Sequence, residues 1–355
     1  MLPTLSARHH ACNPGRRPAA LPVLAAGVLV MLCAHSAFAQ EKVVFATNWK
    51  AQAGQGGFYQ ALADGTYKKY GLDVEIVQGG PMVNNRPLLP AGKIDFLMTG
   101  NLLHSFDNLK NKVPTVAVMS AFQKDPQAIF AHPGQGYASF KDLTKAPVAF
   151  IGKDGQFSFW QWMKAEYGFR DEQLKPYAYN IGPFLADKRS VQQGYAIEEP
   201  LTIKAKAGFD PVVFLLADNG FSTYSTTVEA RAETVRTKPQ LVQKFVDASI
   251  LGWTNYLYGN NQAANELIKK ANPDMTDANL AGGVALMKQL GVVDSGEAQT
   301  LGIGAMNEAR VKDFFEKMVK AGLYKAGEID PTQAITTQFV NKGVGVDLRK
   351  QLAGK

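Results

Sequence analysis

An amide beside an indole on a glycine-rich loop suits recognition better than bond breaking. The stretch "VVFATNWKAQAGQGGFYQALADGTYKKYGLDVEI", residues 43–76, carries that pair as Asn48 and Trp49. An indole supplies a stacking face, and the neighbouring amide both donates and accepts hydrogen bonds. Trp49 serves either that purpose or the closure of a core edge. Gly56 and Gly57 relax the backbone where a helix begins near Phe58, for a ligand's approach or for a tight loop. Phe58 or Tyr59 lines the same surface, and at least one of the two must pack inward. Thr99, Gly100 and Asn101 leave the run "IDFLM", where Asn101 is equally suited to capping the next helix. Gly155, Gln156, Phe157 and Ser158 follow "PVAFIG" and open a helix. Free N–H groups there hold an anion or a carbonyl oxygen, unless the turn is an ordinary one. Tyr195, Glu198 and Glu199 in "QQGYAIEEP" complete the set. A buried carboxylate among them suits an amino-substituted heterocycle or a cationic group and repels an anion. One of the two glutamates is expected to be structural.

Catalytic alternatives find little material. Residues 1–39 read as a targeting segment: Arg8, Arg16 and Arg17 precede the apolar "LPVLAAGVLVMLCA", and Ala37-Phe38-Ala39 is a cleavage signal. Cleavage after Ala39 would leave 316 residues beginning at Gln40. The segment holds three Arg and no Lys, Asp or Glu, so the remainder carries 35 basic and 31 acidic residues, net +4. Cys12 and Cys33 leave with it, and only His104 and His132 remain. Zinc sites drawn from Cys and His clusters cannot then be built. The G-x-S-x-G elbow and the glycine-rich phosphate loops are also missing, although "GQGG" and "GKDG" look similar. His132, before Pro133, reads as a turn residue, and His104 as structural, early in a helix. No metal or cofactor is expected. The mild positive charge forms no basic run, which gives nucleic acid no footprint.

Short apolar runs alternate with helical patterns along the chain. "VVFA", "LDVEIV", "IDFLMT" and "TVAVMSAF" read as strands, with helices over 58–70, about 84–92 and 101–111 between them. The pattern restarts with "PQAIFAHP", "PVAFIG", the aromatic helix "QFSFWQWMKAEYGF", a helix over "DKRSVQQGYAI" and the strand "PVVFLLA". A return strand and a long amphipathic helix follow in "STTVEARAETVRTKPQLVQKFVDASILGWTNYLYG", and helices continue nearly to the end. The expected class is α/β in two lobes, each a mostly parallel sheet flanked by helices. The first lobe spans 40–125 and returns over 223–355, and the second spans 126–222. Ligands of such sheets sit beyond the carboxyl ends of the strands, which is where Asn48 and Trp49 fall.

The blocks "TNWKAQAGQGGFYQALADGTYKKYGLDVEI", "LLPAGKIDFLMTG", "KDLTKAPVAFIGKDGQFSFWQWMKAEYGF", "DKRSVQQGYAIEEP" and "KPQLVQKFVDASILGWTNYL" resemble one family throughout. It is the periplasmic solute-binding proteins of ABC importers, in the branch that binds nitrate, alkanesulfonates, taurine and thiamine's pyrimidine precursors. The resemblance implies a type II binding-protein fold that closes on a small molecule in the periplasm. It also implies a monomer without turnover that docks on a membrane permease with its ATPase. Gln55 stands where thiamine-precursor binders often carry a histidine. The cysteine-rich motif of the related pyrimidine synthases is missing. A flat nitrogen heterocycle, such as a pyrimidine-type vitamin precursor, is the expected ligand. An organic anion is the alternative, and an enzyme or sensor domain on the same frame is the rival of another class.

Overall fold

A computed structural model describes residues 40–80 and 83–354. The expected targeting segment, residues 1–39, therefore lies outside the described residues, and the cleavage expected after Ala39 is not described. Ten strands form among the described residues: β1 Glu41–Ala46, β2 Leu72–Val77, β3 Phe96–Met98, β4 Thr115–Phe122, β5 Gln127–Ala131, β6 Ala149–Ile151, β7 Leu174–Pro176, β8 Val191–Tyr195, β9 Val212–Leu215 and β10 Ser225–Arg231. They make two five-stranded sheets, ordered β2-β1-β3-β10-β4 and β7-β6-β8-β5-β9. In the first sheet β1 runs parallel to β2 and β3, while β10 is antiparallel to β3 and β4. In the second, β6 runs parallel to β7 and β8, while β5 is antiparallel to β8 and β9.

The two exceptions have a common cause. β5 and β10 are the strands by which the chain enters a sheet after crossing from the other lobe. A chain leaving one sheet at its carboxyl edge meets the next sheet from the cleft side. It must then run away from the cleft, against the strands that run towards it. Each sheet is mostly parallel, with its one reversed strand in the same place.

Along β2, Leu72 and Val74 are buried while Asp73 and Glu75 are exposed, as period-two alternation requires. Phe45 of β1 packs on Phe58 at 4.7 Å, and Phe96 of β3 stacks on Phe245 at 4.1 Å. Phe245 belongs to the helix Pro239–Tyr258, which lies against the helix Gly56–Ala63. Small residues set that approach. A Cβ on Gly57 would fall 2.1 Å from the Trp253 ring, and one on Gly252 would fall 2.3 Å from the Gly57 carbonyl oxygen. Gly252→Ala is therefore expected to cost about 1–3 kcal/mol through overpacking. A urea titration that finds no loss would show that the two helices separate freely.

Three expected helices take other forms. The pattern over 58–70 is two helices, Gly56–Ala63 and Thr66–Lys69. They are split by Gly65 at φ +74° and by Asp64, whose carboxylate accepts from the Thr66 backbone and hydroxyl at 2.9 and 2.6 Å. Within 84–92 only one 3₁₀ turn forms, Arg86–Leu88, because Pro87 and Pro90 withhold the N–H groups a helix needs. The segment "DKRSVQQGYAI" contains β8 instead of a helix. Its Gly194 is pressed by Phe130 and Glu199, each within 2.7 Å of where a Cβ would stand. That crowding favours a strand locked between neighbours.

Candidate functional site

The loops after β1, β3, β6, β7 and β8 all leave the carboxyl ends of strands. After β1, the Thr47 hydroxyl donates to the Trp49 carbonyl at 2.8 Å, and the Gly79 N–H donates to the same carbonyl at 3.1 Å. The Asn85 amide donates to the Thr47 carbonyl at 3.0 Å. A side chain at Gly79 would strike the Asn48 carbonyl carbon at 2.5 Å, so only glycine lets the loop after β2 come this close. These contacts fix Asn48 and Trp49 in place. The Asn48 Oδ1 is buried and has no hydrogen-bond partner among the described residues. Buried acceptors are normally paired, so the exception marks this amide.

Trp49 reaches across to the second lobe. Its ring lies 5.0 Å from that of Tyr179, tilted by 44°. Tyr179 in turn lies 5.4 Å from Tyr177 in the loop after β7. Tyr179 is 49% exposed and sits at φ +59°, a conformation that side-chain-bearing residues rarely adopt. Strain of that kind clusters where a side chain must be aimed.

The glutamates divide their roles. Glu199 Oε2 accepts from the Tyr195 N–H at 2.6 Å and is held against Gly194. Glu198 Oε1 is buried without a partner among the described residues. Its carboxyl faces the Gly54 N–H and Tyr256, both of the first lobe. Burial, reinforced by Glu199, pushes Glu198 up to about 8, and burial pushes Glu199 up to about 7. Tyr195 lies within electrostatic reach of Asp125, Glu199 and Tyr179, and Tyr177 within reach of Glu199 and Tyr179. Ring contacts therefore run from Trp49 to Tyr179 and on to Tyr177, which lies within electrostatic reach of Glu199.

Several expected contacts belong elsewhere. Phe58 is fully buried between Phe45 and Trp253, and Tyr59 is in the same core, its hydroxyl pushed up to about 12 by burial. Gly57 serves helix packing. The Thr99 hydroxyl bonds that of Thr227. Asn101 caps the helix Leu102–Lys110 through Leu103 N at 3.1 Å and donates to Asp125 at 3.0 Å. Around 155–158 one short helix ends and the helix Phe159–Tyr167 begins, with no side-chain cap from Ser158. The helix Lys153–Gln156 has only four residues, and the Gly152 N–H donates to Gln193 at 2.6 Å. Gln156 and Ser158 bond backbone carbonyls at 2.9 and 2.7 Å, while Phe157 is 70% exposed.

Tyr179 and Asp125 escaped the sequence reading. Tyr179 follows a three-residue strand, too short for its pattern to show. Asp125 lies in the first crossover and accepts from Asn101 of one lobe and Gln127 N of the other. The dipeptide Asp125-Pro126 at a crossover was the available signal. His132, expected as a turn residue, is buried with its Nε2 bonded to the Phe184 carbonyl at 2.8 Å. Among the described residues no cluster of three or more His, Cys, Asp or Glu is placed to hold a metal ion, and no helix is long and apolar enough to cross a membrane.

The family described as NMT1/THI5 like matches residues 52–264. The chain belongs to the NMT1/THI5-like family. It is 26% identical over 295 residues to the riboflavin-binding protein RibY of Chloroflexus aurantiacus, covering 81% of this chain and 82% of that one. A shorter match, 23% identical over 115 residues, is to the 4-amino-5-hydroxymethyl-2-methylpyrimidine phosphate synthase of Schizosaccharomyces pombe. It spans 32% of this chain and 33% of the synthase. Among solved structures, the periplasmic aliphatic sulphonate binding protein SsuA of Escherichia coli superposes with TM-score 0.59 at 13% identity, covering 83% of this chain and 92% of SsuA. The periplasmic nitrate-binding protein NrtA of Synechocystis PCC 6803 gives 0.56 at 13% identity, covering 88% of each chain. This NMT1/THI5-like chain has the two-lobed fold of periplasmic binding proteins.

Proposed function

We propose that the chain captures a flat nitrogen heterocycle between its lobes and delivers it to an ABC permease and its ATPase. It acts as a monomer in the periplasm, after cleavage behind Ala39, and without turnover. The observations that carry this reading are the Trp49–Tyr179 pair, a ring from each lobe, and two buried polar atoms without partners among the described residues, Asn48 Oδ1 and Glu198 Oε1. Aromatic faces and in-plane hydrogen-bonding groups are the two things a flat heterocycle requires. RibY's name specifies riboflavin and the synthase's name a pyrimidine, both flat nitrogen heterocycles. The sulphonate and nitrate named for the structural neighbours favour an anion instead. Against that stands an acid pair shifted by no neighbouring cation.

A thermal-shift screen of riboflavin, 4-amino-5-hydroxymethyl-2-methylpyrimidine, nitrate, taurine and an alkanesulfonate tests the proposal. The heterocycles should raise the melting temperature, and the anions should not. Trp49→Ala should weaken the bound heterocycle by about 1–3 kcal/mol in calorimetry, the worth of the lost burial and ring contact. Unchanged affinity would return that indole to the core edge.

A further inference from the structure

Glu198 occupies a place that tolerates a charge poorly. From its own helix it faces Glu199, whose carboxyl is fixed by the Tyr195 N–H. From the helix Pro239–Tyr258 it faces the Tyr256 phenol, and from the turn Ala53–Gln55 the Gly54 N–H. Behind Glu199 stand Tyr177 and Tyr195, and beside Tyr195 stands Asp125. Every titratable group in this surround is a carboxylic acid or a phenol. Two adjacent half-buried carboxyls, with no cation among the groups that act on them, resist a second ionisation, so the pair keeps a proton where isolated glutamates have lost theirs. The Gly54 N–H lies near the carboxyl, while Oε1 is left without a partner among the described residues.

We propose that Glu198 meets the ligand as a neutral carboxylic acid, its O–H donating to a ring acceptor and its carbonyl accepting from the adjacent N–H. The class of ligand this selects is a heterocycle with a donor and an acceptor side by side on one edge. The amino group and ring nitrogen of an aminopyrimidine form such an edge, and so do the imide N–H and carbonyl of a flavin. An ionised carboxylate presents two acceptors and would repel the acceptor of that edge. Uncompensated loss of one such bond is costly in a buried site. The inference rests on the heterocycle reading above and adds to it a protonation state and a matching edge.

The test is a set of binding titrations with riboflavin and with 4-amino-5-hydroxymethyl-2-methylpyrimidine, from about pH 6 to about pH 9, on the wild-type chain and on Glu198→Gln. Wild-type affinity should hold at the acid end and then fall, approaching about tenfold per pH unit once the carboxyl ionises. The glutamine amide also offers a donor and an acceptor but has no proton to lose. Glu198→Gln should therefore show no such fall, and at about pH 9 it should bind more tightly than wild type by about tenfold. The probe that binds identifies which of the two edges is used. Wild-type affinity that is flat or rising towards pH 9, with weaker binding by Glu198→Gln throughout, overturns the neutral acid in favour of a carboxylate facing a cation. If neither probe binds at any pH, the heterocycle reading itself fails, and this inference with it.

Discussion

Arg310→Met is expected to destabilise the chain by about 3–5 kcal/mol, read as a lower denaturation midpoint at an unchanged slope. Arg310 stands on the helix Glu308–Lys320 and reaches both crossovers between the lobes. Its Nε donates to the Ser222 carbonyl at 3.0 Å, and its Nη2 donates to the Thr223 carbonyl at 3.2 Å and to the Gln123 carbonyl. The guanidinium lies 4.0 Å from the centre of the Tyr224 ring, and Glu297 is its counter-ion at 3.6 Å. Residue 123 belongs to the first crossover and residues 222–224 to the second, so one planar cation ties the two together. Methionine keeps the aliphatic stem but leaves three carbonyls and a carboxylate without their donor. Lysine should recover only part of the loss, because a single ammonium cannot copy the fork. A loss below about 1 kcal/mol would mean that water replaces the guanidinium without penalty.

The ligand-free chain should be more stable at about pH 6 than at about pH 8.5, by on the order of 3 kcal/mol. Burial raises Glu198 to about 8, Glu199 to about 7 and Asp125 to about 6. A carboxyl raised on folding contributes stability that is complete below its unfolded value and lost as pH rises through its folded value. The loss therefore begins just above the ordinary carboxyl range, at about 4, and is complete by about 8, the highest of the three folded values. His104 acts in the opposite direction, since burial and Arg86 push it down to about 3. Its penalty appears as pH falls below the ordinary histidine range, which keeps the optimum from moving far into acid. Thermal melts across this window check the sign, and Glu198→Gln should flatten much of the slope. A melting temperature that climbs from about pH 6 to about pH 8.5 would mean that the acid pair is hydrated in solution.

The sequence made the lobes legible because most strands carry their own pattern. Leu72 to Val77 alternates cleanly, and the loop holding Asn48 and Trp49 could be placed at a strand's carboxyl end from that pattern alone. What stayed hidden depended on partners distant in sequence. Val191 to Tyr195 reads as helix until Phe130 and Glu199 are seen to press on Gly194. Whether Glu198 or Glu199 is tied down depends on the Tyr195 N–H, a contact that no spacing rule announces. Phe58 and Tyr59 illustrate the opposite error, because aromatic residues beside a recognition loop were equally consistent with the core they fill. Tyr179 needed the ring of Trp49, from the other end of the lobe pair, to show its place.

The reversed strand β10 has a consequence for the order of assembly. Among the strands of the first sheet β4 pairs only with β10, and Thr115 finds its partner in Arg231. The strands of the second sheet, by contrast, all lie within 127–215. A chain emerging from its amino end can close the second sheet while β4 still waits for its neighbour. The first sheet stays incomplete until the strand that follows the second crossover arrives. Closing so long a loop is a slow step, so the first sheet is expected to complete after the second.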